Sequence, residues 1–206
     1  MAIGQPEPQK AESASTAARF VDLYRDNLGN IGKAMATCSD VIGEIRHGET
    51  QHIVSMGEWS AEHVICHVIE QCGPMRLLMA TWSASDASVN RLALVMEQGN
   101  ITACRALLDW RVKVRTPNAL AVLRKQLPST DLRLDSCHAK VFLLDNDDWH
   151  VALVGSPNLT ANPRIEASVL TESREVWEFH RGWMEAAIDD ANPFDAPRPK
   201  KKRKNQ

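Results

Sequence analysis

The sequence predicts an α/β fold, a mixed sheet flanked by helices on both faces, and three observations carry that expectation. Over the first two thirds, short apolar runs alternate with segments of helical periodicity, the order that builds a sheet with helices packed on it. In the last third, three apolar runs follow one another with only turn signals between them, which adds strands without helices. No segment repeats another, so the chain holds a single copy of its architecture.

Residues 1–15, rich in Pro, Gln, Glu, Ser and Ala without periodicity, read as a disordered N-terminus. One globular unit is expected over 16–192 and a basic tail over 193–206. Two N-terminal helices are expected between Thr16 and Arg46. The first carries Phe20, Val21 and Tyr24 on one side, and the second carries Ile31, Met35, Cys38 and Ile42 and stops at Gly48. A first strand runs from His52 to Trp59. Ser60 then caps a helix through Cys72 that Gly73 and Pro74 end. The run Met75 to Trp82 reads as a buried strand. Asp86 caps a helix with Val89, Leu92, Ala93 and Met96 on one face, closed by Gly99, and Ile101 to Trp110 is the next strand. Thr116 and Pro117 open a helix carrying Leu120, Leu123 and Leu127.

Three strands are then expected, Leu132 to Leu144, His150 to Gly155 and Ile165 to Leu170, with a turn at Asn146, Asp147 and Asp148. A closing helix from Ser173 to Ala187 should bury Val176, Phe179, Trp183 and Ala187, before Asn192 and Pro193 end it.

Composition narrows the function classes. With 44% hydrophobic and 24% charged residues, the 206-residue chain can bury one substantial core. Five cysteines are an odd number at spacings that fit neither a disulfide framework nor a paired zinc motif, so reduced thiols and a cytoplasmic setting are expected. The first residues form no apolar leader, and no run approaches the roughly 18 apolar residues that a bilayer requires, so no membrane insertion is expected. The net charge of −2 hides an asymmetry, because Arg198, Lys200, Lys201, Lys202, Arg203 and Lys204 cluster at the end. Without those six, 18 basic residues face 26 acidic ones. An acidic body of about −8 therefore bears a basic tail.

The chemistry concentrates in His138-Ala-Lys140-Val-Phe-Leu-Leu-Asp145, followed by Gly155-Ser156-Pro157-Asn158 and then Glu166. Residues two apart on a strand share a face, so His138 and Lys140 should point into one site, and Ser156 and Asn158 should do the same from the next strand. Asp145, five positions beyond Lys140, falls on the other face and is expected to serve local structure.

This ordered set resembles the HKD motif of the phospholipase D superfamily, HxKxxxxD followed by GSxN, and the order of elements is similar from about Ile53 to Ala187. Two departures stand out: a longer gap between Asp145 and Gly155, and Pro157 inside GSxN. A longer hairpin absorbs the first, and the second leaves both donors in place. The resemblance implies the phospholipase D-like α/β/α fold and a phosphodiesterase that needs no metal or other cofactor. It further implies His138 as nucleophile through a phosphohistidine, Lys140, Ser156 and Asn158 as the phosphate clamp, and Glu166 as the acid that orients the histidine. Superfamily members use two such histidines, one attacking and one acting as acid. A chain with one motif is thereby expected to form a homodimer with the active site at the two-fold interface.

The basic tail favours nucleic acid as the substrate over lipid, hence a nuclease or related DNA- or RNA-processing enzyme. A phospholipid hydrolase or phosphatidyltransferase, and an inactive nucleic-acid-binding protein, are the alternatives. The tail PKKKRK also resembles a nuclear import signal, which would place the protein in the nucleus of a eukaryotic source or host, and it equally suits a solvated end. His63 and His67, with Cys66 and Cys72 nearby, could form part of a metal site but read as a helix face against the sheet. His47, His52, His150 and His180 have no partners visible in the sequence. Trp149, at the expected hairpin tip, is a candidate substrate contact.

Overall fold

A computed structural model describes residues 38–128, 131–160 and 163–196. The N-terminal residues to 37, with the first expected helix and most of the second, lie outside the described residues, as does the tail from Arg198 to Lys204. Elements in chain order are α1 (Cys38–Ile42), β1 (Thr50–Ser55), α2 (Ala61–Cys72), β2 (Met75–Thr81), α3 (Asp86–Glu97), β3 (Ile101–Asp109), α4 (Val112–Arg115), α5 (Pro117–Gln126), β4 (Leu132–Asp135), β5 (Lys140–Asp145), β6 (His150–Gly155), β7 (Glu166–Glu172), α6 (Arg174–Asp190) and β8 (Asn192–Pro193).

The strands form one mixed sheet in the order β1-β7-β6-β5-β2-β3-β4-β8. β2, β3 and β4 run parallel, and every other neighbouring pair is antiparallel. Strand alternation splits the core in two. Leu77, Met79, Leu108, Phe142, Leu144 and Leu153 face α1, α2, α3 and α5, while Leu78, Ala80, Leu107, Val141, Leu143 and Ala152 face α6. Both faces are therefore covered by helices. Among the described residues no helix is long and apolar enough to cross a membrane.

Several boundaries differ from the sequence reading for identifiable reasons. α1 ends at Gly43 (φ +68°), not Gly48, because a left-handed glycine is available one turn earlier. Ser85, not Asp86, caps α3, its Oγ accepting the Ser88 N–H at 3.2 Å. The closing helix buries Trp177, Met184 and Ile188, with Val176, Trp183 and Ala187 only flanking them. Phe179 is 71% exposed, since two positions beyond Trp177 lies roughly 200° around the helix. Asn192 and Pro193 do follow the helix end, but they also pair with β4 as a short edge strand.

The largest difference concerns the run Leu132 to Leu144, which is two strands with Ser136–Ala139 between them. β4 and β5 are separated in the sheet by β3 and β2, three spacings of about 4.8 Å. The five peptide steps from Asp135 to Lys140 reach at most roughly 17 Å, so this link must run nearly straight along the edge of the sheet. That path carries His138 across the carboxyl ends of β3 and β2.

Candidate active site

One edge of the sheet gathers the carboxyl ends of β1, β2, β3 and β6 and the amino ends of β5 and β7, because Thr81 pairs with Lys140, Gly155 with Ser168 and Ser55 with Glu166. A pocket of about 780 Å³ opens there, lined among others by Trp82, His138, Lys140, Ser156, Asn158 and Glu166. The five chemistry-bearing residues expected from the sequence thus meet in one place. They arrive there differently from expectation, because neither His138 nor the Ser156–Asn158 segment is on a strand. His138 comes from the edge-running link, and Ser156 and Asn158 from the loop that leaves β6.

Each is held by local structure. The loop after β6 is stitched to the segment after β2: the Ser85 N–H donates to the Leu159 carbonyl (2.6 Å) and the Leu159 N–H to the Ser83 carbonyl (3.2 Å). Thr81 Oγ1 lies within hydrogen-bond reach of both the Ser83 carbonyl (3.1 Å) and Asn158 Oδ1 (3.3 Å), which holds the Asn158 amide beside the end of β2. Ser156 ties β6 to β7, its N–H donating to the Ala167 carbonyl (2.9 Å) and its Oγ accepting the Ala167 N–H (3.0 Å). The Ser156 hydroxyl donates to Glu166, so its one proton is already committed. Gly155 has a steric reason to be glycine, since a Cβ there would lie 2.4 Å from the Ser168 Cβ and 2.5 Å from the Ala167 carbonyl.

His138 is exposed, with its Nδ1 3.3 Å from the Lys140 ammonium and its ring 5.3 Å from that of Trp82. Lys140 also donates to the His138 carbonyl at 2.8 Å and lies 5.7 Å from the Trp82 centroid. Burial lowers the Lys140 pKa from its ordinary value, opposed by the charges of Cys137 and Glu166. Burial also pushes the Cys137 thiol up.

The remaining motif member lies elsewhere. Asp145 is at the far end of β5, buried, and accepts from Arg76 Nε at 2.8 Å on β2. This pair ties the adjoining ends of β2 and β5. Trp149 is at the same far end and stacks on His47 (3.8 Å, 10° between planes), a full strand length from the pocket, so it is no contact for a ligand bound there. Trp82, Ser83, Thr160 and Arg164 join the pocket without having been singled out in the sequence. For Trp82 the signal existed: it follows directly on a strand's carboxyl end, where α/β sheets place their ligands.

His63 and His67 are bonded to backbone beside α2 and not to the sheet they were expected to face. His63 Nδ1 accepts the Ser60 N–H (3.2 Å) at the start of α2, and His67 Nε2 lies 2.7 Å from the Gly43 carbonyl. Among the described residues no three His, Cys, Asp or Glu side chains converge as metal ligands would.

No family model and no curated protein matches this sequence. Solved structures do match the fold. Nuc from Salmonella typhimurium, a phospholipase D family member, superposes with a TM-score of 0.53 at 19% identity, over 70% of this chain and 98% of that one. NucT from Helicobacter pylori gives 0.50 at 12% identity, over 70% and 99%. TrmBL2, an archaeal chromatin protein whose structure is described as showing a novel mode of DNA binding, gives 0.50 at 11% identity, over 85% and 67%. At these identities the likeness is one of fold, and the fold is that of the phospholipase D family.

Proposed function

We propose that this phospholipase D-like chain is a phosphodiesterase that works through a phosphohistidine on His138 and needs no metal, and that its substrate is nucleic acid. One observation carries the reading: His138, Lys140, Asn158 and Glu166, drawn from three separate segments, line one pocket at the edge of the sheet. Residues with merely structural roles have no reason to converge on open space.

The chemistry follows from the side chains. A phosphodiester entering the pocket draws the Lys140 ammonium and the Asn158 amide onto its two non-bridging oxygens, where charge grows in the transition state. The unprotonated nitrogen of His138 attacks phosphorus, a P–N bond forms, and the P–O bond to one ester oxygen breaks. That oxygen leaves as an alcohol after taking a proton from an acid. A water then gives a proton back to that acid, now a base, and attacks the phosphohistidine, the P–N bond breaks, and both the imidazole and the acid are restored. A carboxylate against the ring, the role proposed for Glu166, would fix which nitrogen attacks. Since the chain has one HKD motif, the leaving-group acid is proposed to be His138 of a second copy across a two-fold axis, so that a dimer shares one site.

Labelled DNA, RNA, phosphatidylcholine and bis(p-nitrophenyl) phosphate, each incubated with the pure protein in EDTA, test the reading. Cleavage of the nucleic acids and the small diester with a label trapped on His138 is expected. Hydrolysis of phosphatidylcholine alone would move the substrate to lipid. Activity that vanishes in EDTA and returns with magnesium would overturn the mechanism. An active monomer in light scattering would overturn the shared site.

A further inference from the structure

Beside the catalytic pocket lies a second, narrower cleft lined by Trp82, Ser83, Arg111, Val112, Arg115 and Thr116, and the two share Trp82 and Ser83. Three cations surround that one indole: Arg111 at 5.0 Å from the ring centroid, Arg115 at 5.8 Å and Lys140 at 5.7 Å. A ring face holds a cation by its quadrupole without neutralising it. The indole therefore fixes two guanidinium groups next to the lysine of the pocket and leaves their charge available.

The turn that carries the arginines is built for this. Asp109, at the carboxyl end of β3, accepts the Arg111 N–H at 2.9 Å and so sets the start of α4. Arg111 and Arg115 are then i and i+4 on one helical turn and share a face. Lys113, between them, turns away, donating to the Ala196 carbonyl at 2.7 Å and lying over Trp110. Asp109 lies 3.6 Å from Arg111 Nε, while the Arg111 side chain stays 48% exposed. Arg115 is exposed, and among the described residues no carboxylate pairs with it. A phosphodiester, a monoanion with two non-bridging oxygens, is a ligand that the planar fork of a guanidinium group recognises, and Lys or small polar groups would do so less selectively.

We propose that Trp82, Arg111 and Arg115 form a second phosphate subsite that holds the phosphodiester next to the scissile one, so that the enzyme takes an extended nucleic-acid strand along the edge of the sheet. The inference rests on the phosphodiesterase reading for the identity of the first subsite. Trp82 acts here as a positioning residue for both cations. A lipid or a small diester has one phosphodiester and gains nothing from the second cleft; a strand with successive phosphates fills both.

The test uses the full chain carrying His138→Ala, so that no strand is cut, and measures anisotropy of labelled DNA single strands of two and ten nucleotides in EDTA. Arg111→Gln with Arg115→Gln is compared with Arg124→Gln with Lys125→Gln, which removes the same charge from the far end of α5. The first pair should weaken binding of the ten-nucleotide strand at least tenfold more than the second and flatten the log-affinity against log-salt slope by about 1.4. It should also erase most of the advantage of the longer strand over the dinucleotide. Arg115→Glu alone, at an exposed position, should weaken the long strand as much or more, and covers the case in which the double variant fails to fold. Equal affinity and slope in the two double variants, or no effect of Arg115→Glu, overturns the subsite. Hydrolysis of bis(p-nitrophenyl) phosphate by the protein with His138 intact reports on the catalytic reading separately, since that ester never reaches the arginines.

Discussion

The two ends of the β5–β6 hairpin contain all but one of the motif residues and do opposite work. At one end His138, Lys140, Ser156 and Asn158 line an open pocket, and His138 is exposed. At the other, Asp145 is buried against Arg76, Asn146 Oδ1 accepts the N–H groups of Asp148 and Trp149 at 3.0 and 2.9 Å, and Trp149 stacks on His47. A single sequence motif therefore spans a proposed chemical end and a structural end, six residues of strand apart. The spacing from Lys140 to Asp145 is a strand length that places two ends, and substitutions should separate activity from stability accordingly.

The sharpest break is expected at the chemical end. His138→Ala should lower turnover on the order of 10⁴-fold or more, because a covalent route has no substitute for the attacking nitrogen. Its melting temperature should match that of the unaltered protein, since an exposed ring contributes little packing. Residual activity near the original level would leave only binding as the function of this pocket.

Lys140 comes next. Lys140→Ala should cost about 2 to 4 kcal/mol of transition-state stabilisation if the ammonium holds a non-bridging oxygen. The pH profile carries the sign: the ammonium must be charged to work, and burial lowers its pKa below 10.5. The charged form is lost as pH rises through that lowered value. The alkaline limb of kcat/KM should thus fall at a lower pH than an ordinary lysine would give, and it should disappear in Lys140→Ala. A limb unchanged in that variant belongs to another group.

Gly155→Ala blurs the comparison in an informative way, because the added methyl meets Ser168 and the Ala167 carbonyl well inside contact distance. Overpacking of this kind costs about 1 to 3 kcal/mol. The shift falls on the β6–β7 contact that holds Ser156 and Glu166, so stability and kcat/KM should drop together, as thermal melts and initial rates on one preparation would show.

How much of this was legible beforehand depends on what kind of signal each residue leaves. Alternation and punctuation located β6 to the residue and β2 and β3 to within one, because glycines and turn residues bound them. They missed the break between β4 and β5, although the alternation of Leu132 and Leu134 fails at Ser136, His138 and Lys140 and resumes out of phase at Val141 and Leu143. Topology is set by pairing partners far away in sequence, and a period of two cannot report them. Phe179 was misplaced because α6 carries apolar residues around much of its circumference, and only the sheet decides which stripe is buried. The pocket residues of the motif were legible in sequence, whereas Arg111 and Arg115 were not, and Trp82 left only its place after a strand. They come from two stretches of ordinary composition, the end of β2 and the α4 turn, that meet only at the sheet edge.

At the structural end, Asp145→Ala should remove about 1 to 2 kcal/mol of stability. The buried carboxylate is lost, but the Arg76 side chain is 54% exposed and can turn to water, so the full penalty of an orphaned buried charge does not arise. Initial rates per folded molecule should stay within about twofold, because nothing at the pocket touches this pair. A loss of rate comparable to that of Lys140→Ala would show that the two ends are coupled through β5.

The smallest effect is expected at Trp149, and it tests the division most strictly. Trp149 packs against the core at its edge and stacks on His47, whose Nδ1 lies 3.7 Å from Glu172. An aromatic pair of this geometry contributes about 0.5 to 1.5 kcal/mol beyond simple burial. Trp149→Leu keeps much of the apolar area while removing the stack, so the melting temperature should fall by a few degrees at most. Binding and cleavage of nucleic acid should not change, because β6 runs its full length between this ring and Ser156. A tryptophan at a hairpin tip beside a phosphodiesterase motif invites a role as a base-stacking platform. If Trp149→Leu weakens strand binding tenfold while Arg115→Glu does not, the nucleic acid runs down the hairpin toward Asn146, and the edge bearing Trp82 is not its path.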